Sequence, residues 1–284
     1  MTNASSPVHF TNAGVTNFYY AFAFLPPEKR RAIEAVYAFA RRGDDIVDSG
    51  LSPAEAAAGL EQYRRTLAAC FAEPPARFAE PELQALAHAI RLFRIPRQPF
   101  DDLVLGLEMD LRGASYQTFD DLCLYCYRVA STIGLICIEI FGYRNPRTPE
   151  YAVDLGKALQ VVNIVRDVQR DAQQGRIYIP QEDLDRFGVD PSQLLTGKYH
   201  PGFVELMKFE CERARQYFRS ARQLLPPEDR PSLKAAEIMG AIYWGILKRI
   251  EKRHYNVFGE RIRLPRPIKI WTALTVYLGA EWQK

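Results

Sequence analysis

Apolar residues return every three or four positions along most of this chain, with charged residues filling the gaps. Between Pro27 and Asp48, the residues Ile33, Val36, Tyr37, Ala40 and Val47 keep helical spacing, and Lys29, Arg30, Arg31 and Arg41 fall between them. Pro26-Pro27-Glu28 opens that helix, because proline suits a first turn and an acid suits the positive end of the dipole. Ser52-Pro53-Ala54-Glu55 opens the next with a serine cap and an acid three residues on, and Pro74-Pro75 closes it. Glu80-Pro81 starts another, Pro96 interrupts, and a further helix covers about Arg97–Arg112. Thr118-Phe119-Asp120-Asp121 leads into a long apolar helix ending near Gly142; Asp101-Asp102 and Asp120-Asp121 read as helix starts. Asn145-Pro146 and Thr148-Pro149 are breakers, and a helix follows from about Glu150 through Asp171. Gly175–Pro191 reads as a loop holding one short helix, Gln181–Phe187. Long helices over about Pro201–Leu225 and Pro231–Phe258, and a last one near Ile268–Ala280, complete the chain.

No stretch alternates in the two-residue manner of a strand, and there is no internal repeat or low-complexity linker. The expectation is one all-α domain over residues 1–284, a bundle of roughly eight to ten helices, with residues 1–14 as a flexible lead segment.

A 284-residue chain with 48% hydrophobic and 25% charged residues can bury a substantial core, which excludes wholesale disorder. Its 37 basic residues against 34 acidic ones leave +3, too little to argue for a nucleic-acid partner. Five cysteines, an odd count, suit a reducing compartment. Cys123 and Cys126 have CxxC spacing but lie in an apolar helix with no second pair, so they read as buried thiols. Met1–Asn12 has neither a basic start nor an apolar stretch, so no signal peptide is expected. The apolar runs around Ile133–Phe141 and Ile270–Leu278 are broken by Glu139 and by two threonines, so no membrane span is expected either. These features point to the cytoplasm. His9, His88, His200 and His254 are scattered, and none is expected to act as a base.

Two clusters carry candidate chemistry. Asp44 and Asp48 lie one helical turn apart in Arg41-Arg42-Gly43-Asp44-Asp45-Ile46-Val47-Asp48, and Asp167 and Asp171 repeat that spacing in Asn163-Ile164-Val165-Arg166-Asp167-Val168-Gln169-Arg170-Asp171. Like charges at that spacing destabilise a helix. Either cluster alone reads equally well as a solvated helix end, its aspartates paired with Arg41, Arg42, Arg166 and Arg170. Both together, each toward the end of a long apolar helix, point to a bound cation. Carboxylates with few soft ligands favour Mg²⁺, which bridges to phosphate, and guanidinium forks bind phosphate oxygens. The pattern therefore asks for a diphosphate held between two facing helices.

The string Tyr37-Ala38-Phe39-Ala40-Arg41-Arg42-Gly43-Asp44-Asp45-Ile46-Val47-Asp48 resembles the first aspartate motif of the squalene/phytoene synthase family. Asn163 through Asp171, with the Gly175-Arg176-Ile177-Tyr178-Ile179-Pro180 tail, resembles the second. Tyr125-Cys126-Tyr127-Arg128-Val129-Ala130-Ser131-Thr132-Ile133-Gly134 resembles the central helix, and Asn17-Phe18-Tyr19-Tyr20-Ala21-Phe22 with Leu25-Pro26 the N-terminal segment, so the likeness covers essentially the whole chain.

The resemblance implies an isoprenoid-synthase helical bundle around a central apolar cavity, in which two allylic diphosphates join at their C1 ends. It implies Mg²⁺, two to three ions, on Asp44, Asp48, Asn163, Asp167 and Asp171. Arg41 and Arg166 would hold phosphate oxygens, with Arg261 as a late basic residue near the diphosphates. Tyr37, Tyr125, Tyr178 and Tyr243 would organise phosphate, relay a proton or face a cation. The substrate-contacting wall would comprise Asn17, Phe18, Phe22, Val129, Ile133, Gly134, Leu159, Gln160 and Val162, with Gly134 leaving room for a prenyl chain. Glu108 and Asp110 receive no role.

Within the family, Asp171-Ala172, Met239-Gly240-Ala241-Ile242-Tyr243 and Arg261-Ile262-Arg263-Leu264 look most like presqualene diphosphate synthases of hopanoid pathways, which use farnesyl diphosphate. A full squalene or dehydrosqualene synthase (NADPH is needed for squalene) and a phytoene synthase using geranylgeranyl diphosphate are the alternatives. Gly43, Val165 and Gln169 depart from the usual family residues without removing a metal ligand. A catalytically dead homologue would lack a motif aspartate. A phosphohydrolase or head-to-tail prenyltransferase, which also uses paired aspartates, fits Asp44-Asp45-x-x-Asp48 but not the second motif. A nearly insoluble product, with the basic run Arg261–Lys269, suggests contact with the inner membrane surface and with downstream isoprenoid enzymes.

Overall fold

The computed structural model describes residues 17–283 apart from 75 and 114; the expected flexible segment 1–14 lies outside them. Capping residues act where the sequence places them. The short α1 (Asn17–Phe22) turns into α2 (Pro27–Asp48), whose buried face includes Ile33, Val36, Phe39 and Gly43. Ser52 caps α3 (Pro53–Cys70): its hydroxyl accepts from the Glu55 N–H at 3.4 Å, and Glu55 accepts the Ser52 N–H at 2.9 Å. Proline sits in the first turn of α4 (Pro81–Leu92) and α5 (Gln98–Leu111). Thr118 and Asp121 form a second capping box that opens α6 (Phe119–Cys126).

A π turn, Tyr127–Ser131, joins α6 to α7 (Thr132–Phe141) as one continuous rod. Then come α8 (Thr148–Gln173), α9 (Gln181–Phe187), α10 (Pro191–Thr196), α11 (Pro201–Leu224), α12 (Lys234–Lys252) and α13 (Arg266–Tyr277). Among the described residues there is no strand, so the all-α expectation holds. Among the described residues the thirteen α-helices exceed the expected number because α1 and α10 are six-residue helices, too short to show a period, and because the π turn divides one expected helix into α6 and α7. The twelfth stops at Lys252, short of the expected Phe258, because His254 and Tyr255 adopt φ of 53° and 63°, which no right-handed helix allows.

The rod and α8 form the middle of the bundle: α8 packs against α11, the π turn, α7 and α12, while α5 packs against the π turn and α7. Two glycines make that approach possible. A Cβ on Gly156 would lie 2.5 Å from Ser131 Cα, and one on Gly106 would lie 2.7 Å from Val129 Cγ1. The rod from Phe119 to Phe141, 23 residues holding an 18-residue window of mean hydropathy 1.5, is long and apolar enough to cross a membrane by length and composition. The sequence conceals this by interrupting the run, and the packing partners on α5 and α8 account for it as a core helix. Asp229, in the α11–α12 turn, ties down the start of α8 by accepting from the Arg144 and Asn145 N–H groups at 2.8 and 3.0 Å and from the Thr148 hydroxyl at 2.6 Å. The five cysteines are free thiols, four of them buried, and the half-buried Cys123 meets the Tyr217 hydroxyl at 3.0 Å.

Candidate active site

The end of α2 is pressed against its neighbours by a missing side chain. A Cβ on Gly43 would stand 2.5 Å from Leu107 Cδ1 and 3.1 Å from Tyr63 Cζ, which explains glycine beside the first aspartates. Tyr63 donates to the Phe39 carbonyl at 3.0 Å and fixes α3 on α2. Asp44, held there, is reached by solvent but enclosed by protein on most sides. That enclosure, against the pull of Arg41 and helped by Asp48, Asp110 and Asp45, pushes its carboxyl up to about 7. Arg41 pairs with Asp45 at 2.9 Å on the exposed side of α2. Such an i,i+4 pair is worth about 0.3–0.5 kcal/mol, so an arriving anion can compete for the guanidinium.

The second motif is tighter. Asp167 on α8 accepts from Arg166 Nε at 3.0 Å and from Arg261 Nε and Nη2 at 2.8 and 2.5 Å. Burial works against its charge, but the two guanidiniums prevail and hold the carboxyl below the usual range. Arg166 is nearly enclosed, and the Tyr243 hydroxyl of α12 also acts on it. Tyr37 lies deep beside Tyr243, its ring 5.5 Å from that of the buried Phe22. Asp171, one turn along, is pushed up to about 7 by burial and by Asp167. Asn163 Nδ2 donates to Gln160 Oε1 at 3.3 Å, which leaves Asn163 Oδ1 buried without a partner.

Arg176, in the tail of the second motif, reaches across to the first. Its Nη1 donates to Asp48 Oδ1 at 2.7 Å and its Nη2 to the Val47 carbonyl at 3.3 Å. Its charge also pulls on Asp110 and Asp171. Asp110 on α5 accepts the Tyr178 hydroxyl at 2.7 Å and the Tyr125 hydroxyl at 3.0 Å. Burial raises the Asp110 carboxyl, and those hydroxyls with Arg176 moderate the rise. The Tyr125 and Tyr178 rings stack at 5.0 Å, with Tyr116 at 5.5 and 6.0 Å from them. Asp110, Arg176 and Tyr116 receive no role from the sequence; the available signals are an acid inside an apolar helix and an arginine inside the Gly175–Pro180 string. Glu108 serves elsewhere, ion-paired with Arg64 of α3.

Asn17 is half-buried at the start of α1, and the Phe18 side chain lies outside the described residues. Val129, Ile133 and Leu159 are only half-buried, so apolar surface stays uncovered on the helices that carry Tyr125 and the second motif. Two expected wall residues are corrected. Val162 is fully buried in the core and presents no open surface. The missing side chain of Gly134 makes room for α8, not for a prenyl chain: a Cβ there would lie 2.9 Å from the Ala152 carbonyl oxygen. Gln169, one of the departures from the usual family residues, accepts the Gly259 N–H at 3.2 Å and so braces the loop behind the second motif. Beside that loop a cleft of about 220 Å³ is lined by Arg166, Asp167, Arg170, Gln173 and Arg261.

Among the described residues, no three Asp, Glu, His or Cys side chains converge to hold a metal ion. Asp48 is engaged by Arg176, and Asp167 by Arg166 and Arg261. The donors are nonetheless hard oxygens in separate pairs, and Mg²⁺ typically takes one or two carboxylates while completing its shell with water and phosphate. Asn163 Oδ1 is an acceptor awaiting a donor or a cation, and Asp44 and Asp171 are carboxylates that burial and neighbouring acids raise in spite of the nearby arginines. The residues fit that group.

The sequence model of squalene/phytoene synthases matches residues 11–267. A 15-cis-phytoene synthase of Synechocystis sp. is 38% identical over 277 residues, covering 93% of this chain and 80% of the relative. A crystal structure of a dehydrosqualene synthase superposes with a TM-score of 0.80 at 31% identity, covering 92% of this chain and 90% of that one. The squalene synthase HpnC from Alicyclobacillus acidocaldarius gives 0.75 at 29% identity, over 84% and 89% of the two chains.

Proposed function

The chain belongs to the squalene/phytoene synthase family and is a prenyltransferase; from that premise we propose that it joins two geranylgeranyl diphosphates head to head, giving phytoene with release of diphosphate. The observation carrying the site is the Arg176 bridge, which reaches across 128 residues of chain to Asp48 and ties the two aspartate motifs into one polar wall. The choice of a C20 substrate is supported by the similarity to the phytoene synthase relative. That similarity replaces the expectation of a presqualene diphosphate synthase as the first reading. A farnesyl-using enzyme is the second, supported by the solved dehydrosqualene and squalene synthases.

Asp44, Asp48, Asn163, Asp167 and Asp171 would hold Mg²⁺, which when bound neutralises charge on the leaving diphosphate. Arg166 and Arg261 already lie against the second motif, within reach of an anion that takes them from Asp167. The hydroxyls of Tyr125 and Tyr178 are committed to Asp110 and their rings stack on each other, which leaves the half-buried Tyr178, not the buried Tyr125, to face an allylic cation. Phe22, Val129, Ile133 and Leu159 exclude water from that cation.

The test is incubation with Mg²⁺ and either C15 or C20 diphosphate, with and without NADPH, read by mass spectrometry. Phytoene from the C20 substrate is the expected result. Presqualene diphosphate or squalene from the C15 substrate would replace the substrate assignment, and no product from either would overturn the catalytic reading.

A further inference from the structure

The helix α13 is built inside out. Its buried positions are Lys269, Ala273 and Val276, while Ile270, Trp271, Leu274 and Tyr277, with Leu278 capping its end, face solvent. At about 100° per residue these five fall within roughly one third of the circumference, a continuous apolar stripe on the outer face. Trp271 is 66% exposed and Leu278 75% exposed, the largest values among the exposed large hydrophobic residues. Phe24 extends the stripe, its ring stacked 4.5 Å from that of Tyr277. A soluble protein rarely leaves so many large side chains contiguous without a partner for them.

Charge says which partner. Residues 261–280 contain no Asp or Glu but carry Arg261, Arg263, Arg266 and Lys269. Arg263 and Arg266 are exposed at the end of the helix where the stripe begins. A second copy of the chain, docked symmetrically through residues 261–280, would offer those arginines no carboxylate, because that segment contains none. An anionic lipid surface meets both features at once: headgroup phosphates for the arginines, acyl chains for Trp271, Leu274 and Leu278.

We propose that the outer face of α13 docks this protein on acidic membrane surfaces. The inner face of the same helix places Lys269 near Tyr20, 5.5 Å from its ring, and within electrostatic reach of Arg166. The helix thus stands between the second aspartate motif and the bilayer. Docking there would let apolar chains pass between bilayer and protein without crossing water, a benefit that rests on the proposed prenyl-diphosphate chemistry, although the docking itself does not.

The test uses the full chain with vesicles of phosphatidylcholine alone or mixed with phosphatidylglycerol. Cosedimentation with the mixed vesicles at low salt is expected, weakened by high salt, together with quenching of Trp271 emission by brominated acyl chains. Phe replacing Trp271 identifies that signal against Trp244 and Trp282. The double variant Trp271→Ser, Leu278→Ser alters exposed positions only and should lower the partition constant about tenfold or more. No binding to mixed vesicles, binding without Trp271 quenching, or a dimer in light scattering that the double variant dissociates would each overturn the proposal. Vesicle binding needs no turnover, so its failure is distinguishable from a failure of the condensation assay.

Discussion

Arg176 donates to the Asp48 carboxylate at 2.7 Å, so the chain following the second aspartate motif is fastened to the last residue of the first. The same guanidinium counters the carboxylates of Asp110 and Asp171, which makes it a resident cation in a wall built to receive others. Arg176→Ala is expected to lower turnover by about a hundredfold, comparable to losing one preorganised charge-stabilising donor. It should also shift the Mg²⁺ activation midpoint to lower concentration, because a competing cation has gone. Arg176→Lys keeps the charge but not the fork and should recover only part of the rate. A Mg²⁺ titration of turnover checks all three outcomes.

The aspartates on either side of that bridge differ in what they support. Asp48 is 45% exposed, and Asp48→Asn should cost less than about 1 kcal/mol of stability while removing Mg²⁺-dependent turnover. Asp167 and Arg166 have side chains only 12% and 7% exposed, so Asp167→Asn strands a buried guanidinium. That variant should lose turnover as well and about 2–4 kcal/mol of stability. Urea unfolding alongside the activity assay separates the two; equal stability losses would contradict the burial difference.

The close approach of α8 to the rod yields a prediction about shape. Gly156→Ala places a methyl 2.5 Å from Ser131 Cα and should destabilise by about 2–3 kcal/mol. Gly134→Ala meets the Ala152 carbonyl oxygen at 2.9 Å and should cost about 1 kcal/mol. Neither should change product chain length, because both missing side chains point at a neighbouring helix. A change of product with Gly134→Ala would return that residue to the cavity wall.

Much of this was legible before folding was considered, and for a physical reason. Proline, serine and threonine at helix starts act locally, so α2, α3, α4 and the Thr118 box begin where the pattern puts them. The aspartate pairs were legible because like charges one turn apart are costly unless something binds them. Asp110 was not, since its meaning comes from Tyr125 fifteen and Tyr178 sixty-eight residues away. The π turn at Tyr127–Ser131 was hidden too, because it depends on Gly106 and Gly156 on other helices letting the backbone crowd in. Gly134 misled for the same reason: small size is visible in sequence, but the direction a side chain would take is not.

Away from the site, Arg213 on α11 serves two buried acids, bridging Asp183 of α9 and meeting Glu210 Oε1 at 2.8 Å. One guanidinium cannot compensate both. Burial, with Asp183 alongside, pushes the Glu210 carboxyl up to about 8 against the pull of Arg213. Its folded value therefore lies above the unfolded value of about 4.3, so between those limits the folded state holds a proton that the unfolded chain has released. Stability from this group is complete below the unfolded value and falls as pH rises through the folded one. Glu210→Gln keeps the shape, cannot ionise and should remove that slope. The variant should lie close to the wild type near pH 5 and gain on it as pH rises, by up to about 1.4 kcal/mol per pH unit, until the folded value is passed. Arg213→Met should instead lose about 3–5 kcal/mol at neutral pH, because Asp183 is left buried without its counter-charge. Urea unfolding at both ends of that pH window decides the matter: parallel profiles for wild type and Glu210→Gln would mean that Glu210 is already ionised in the folded protein.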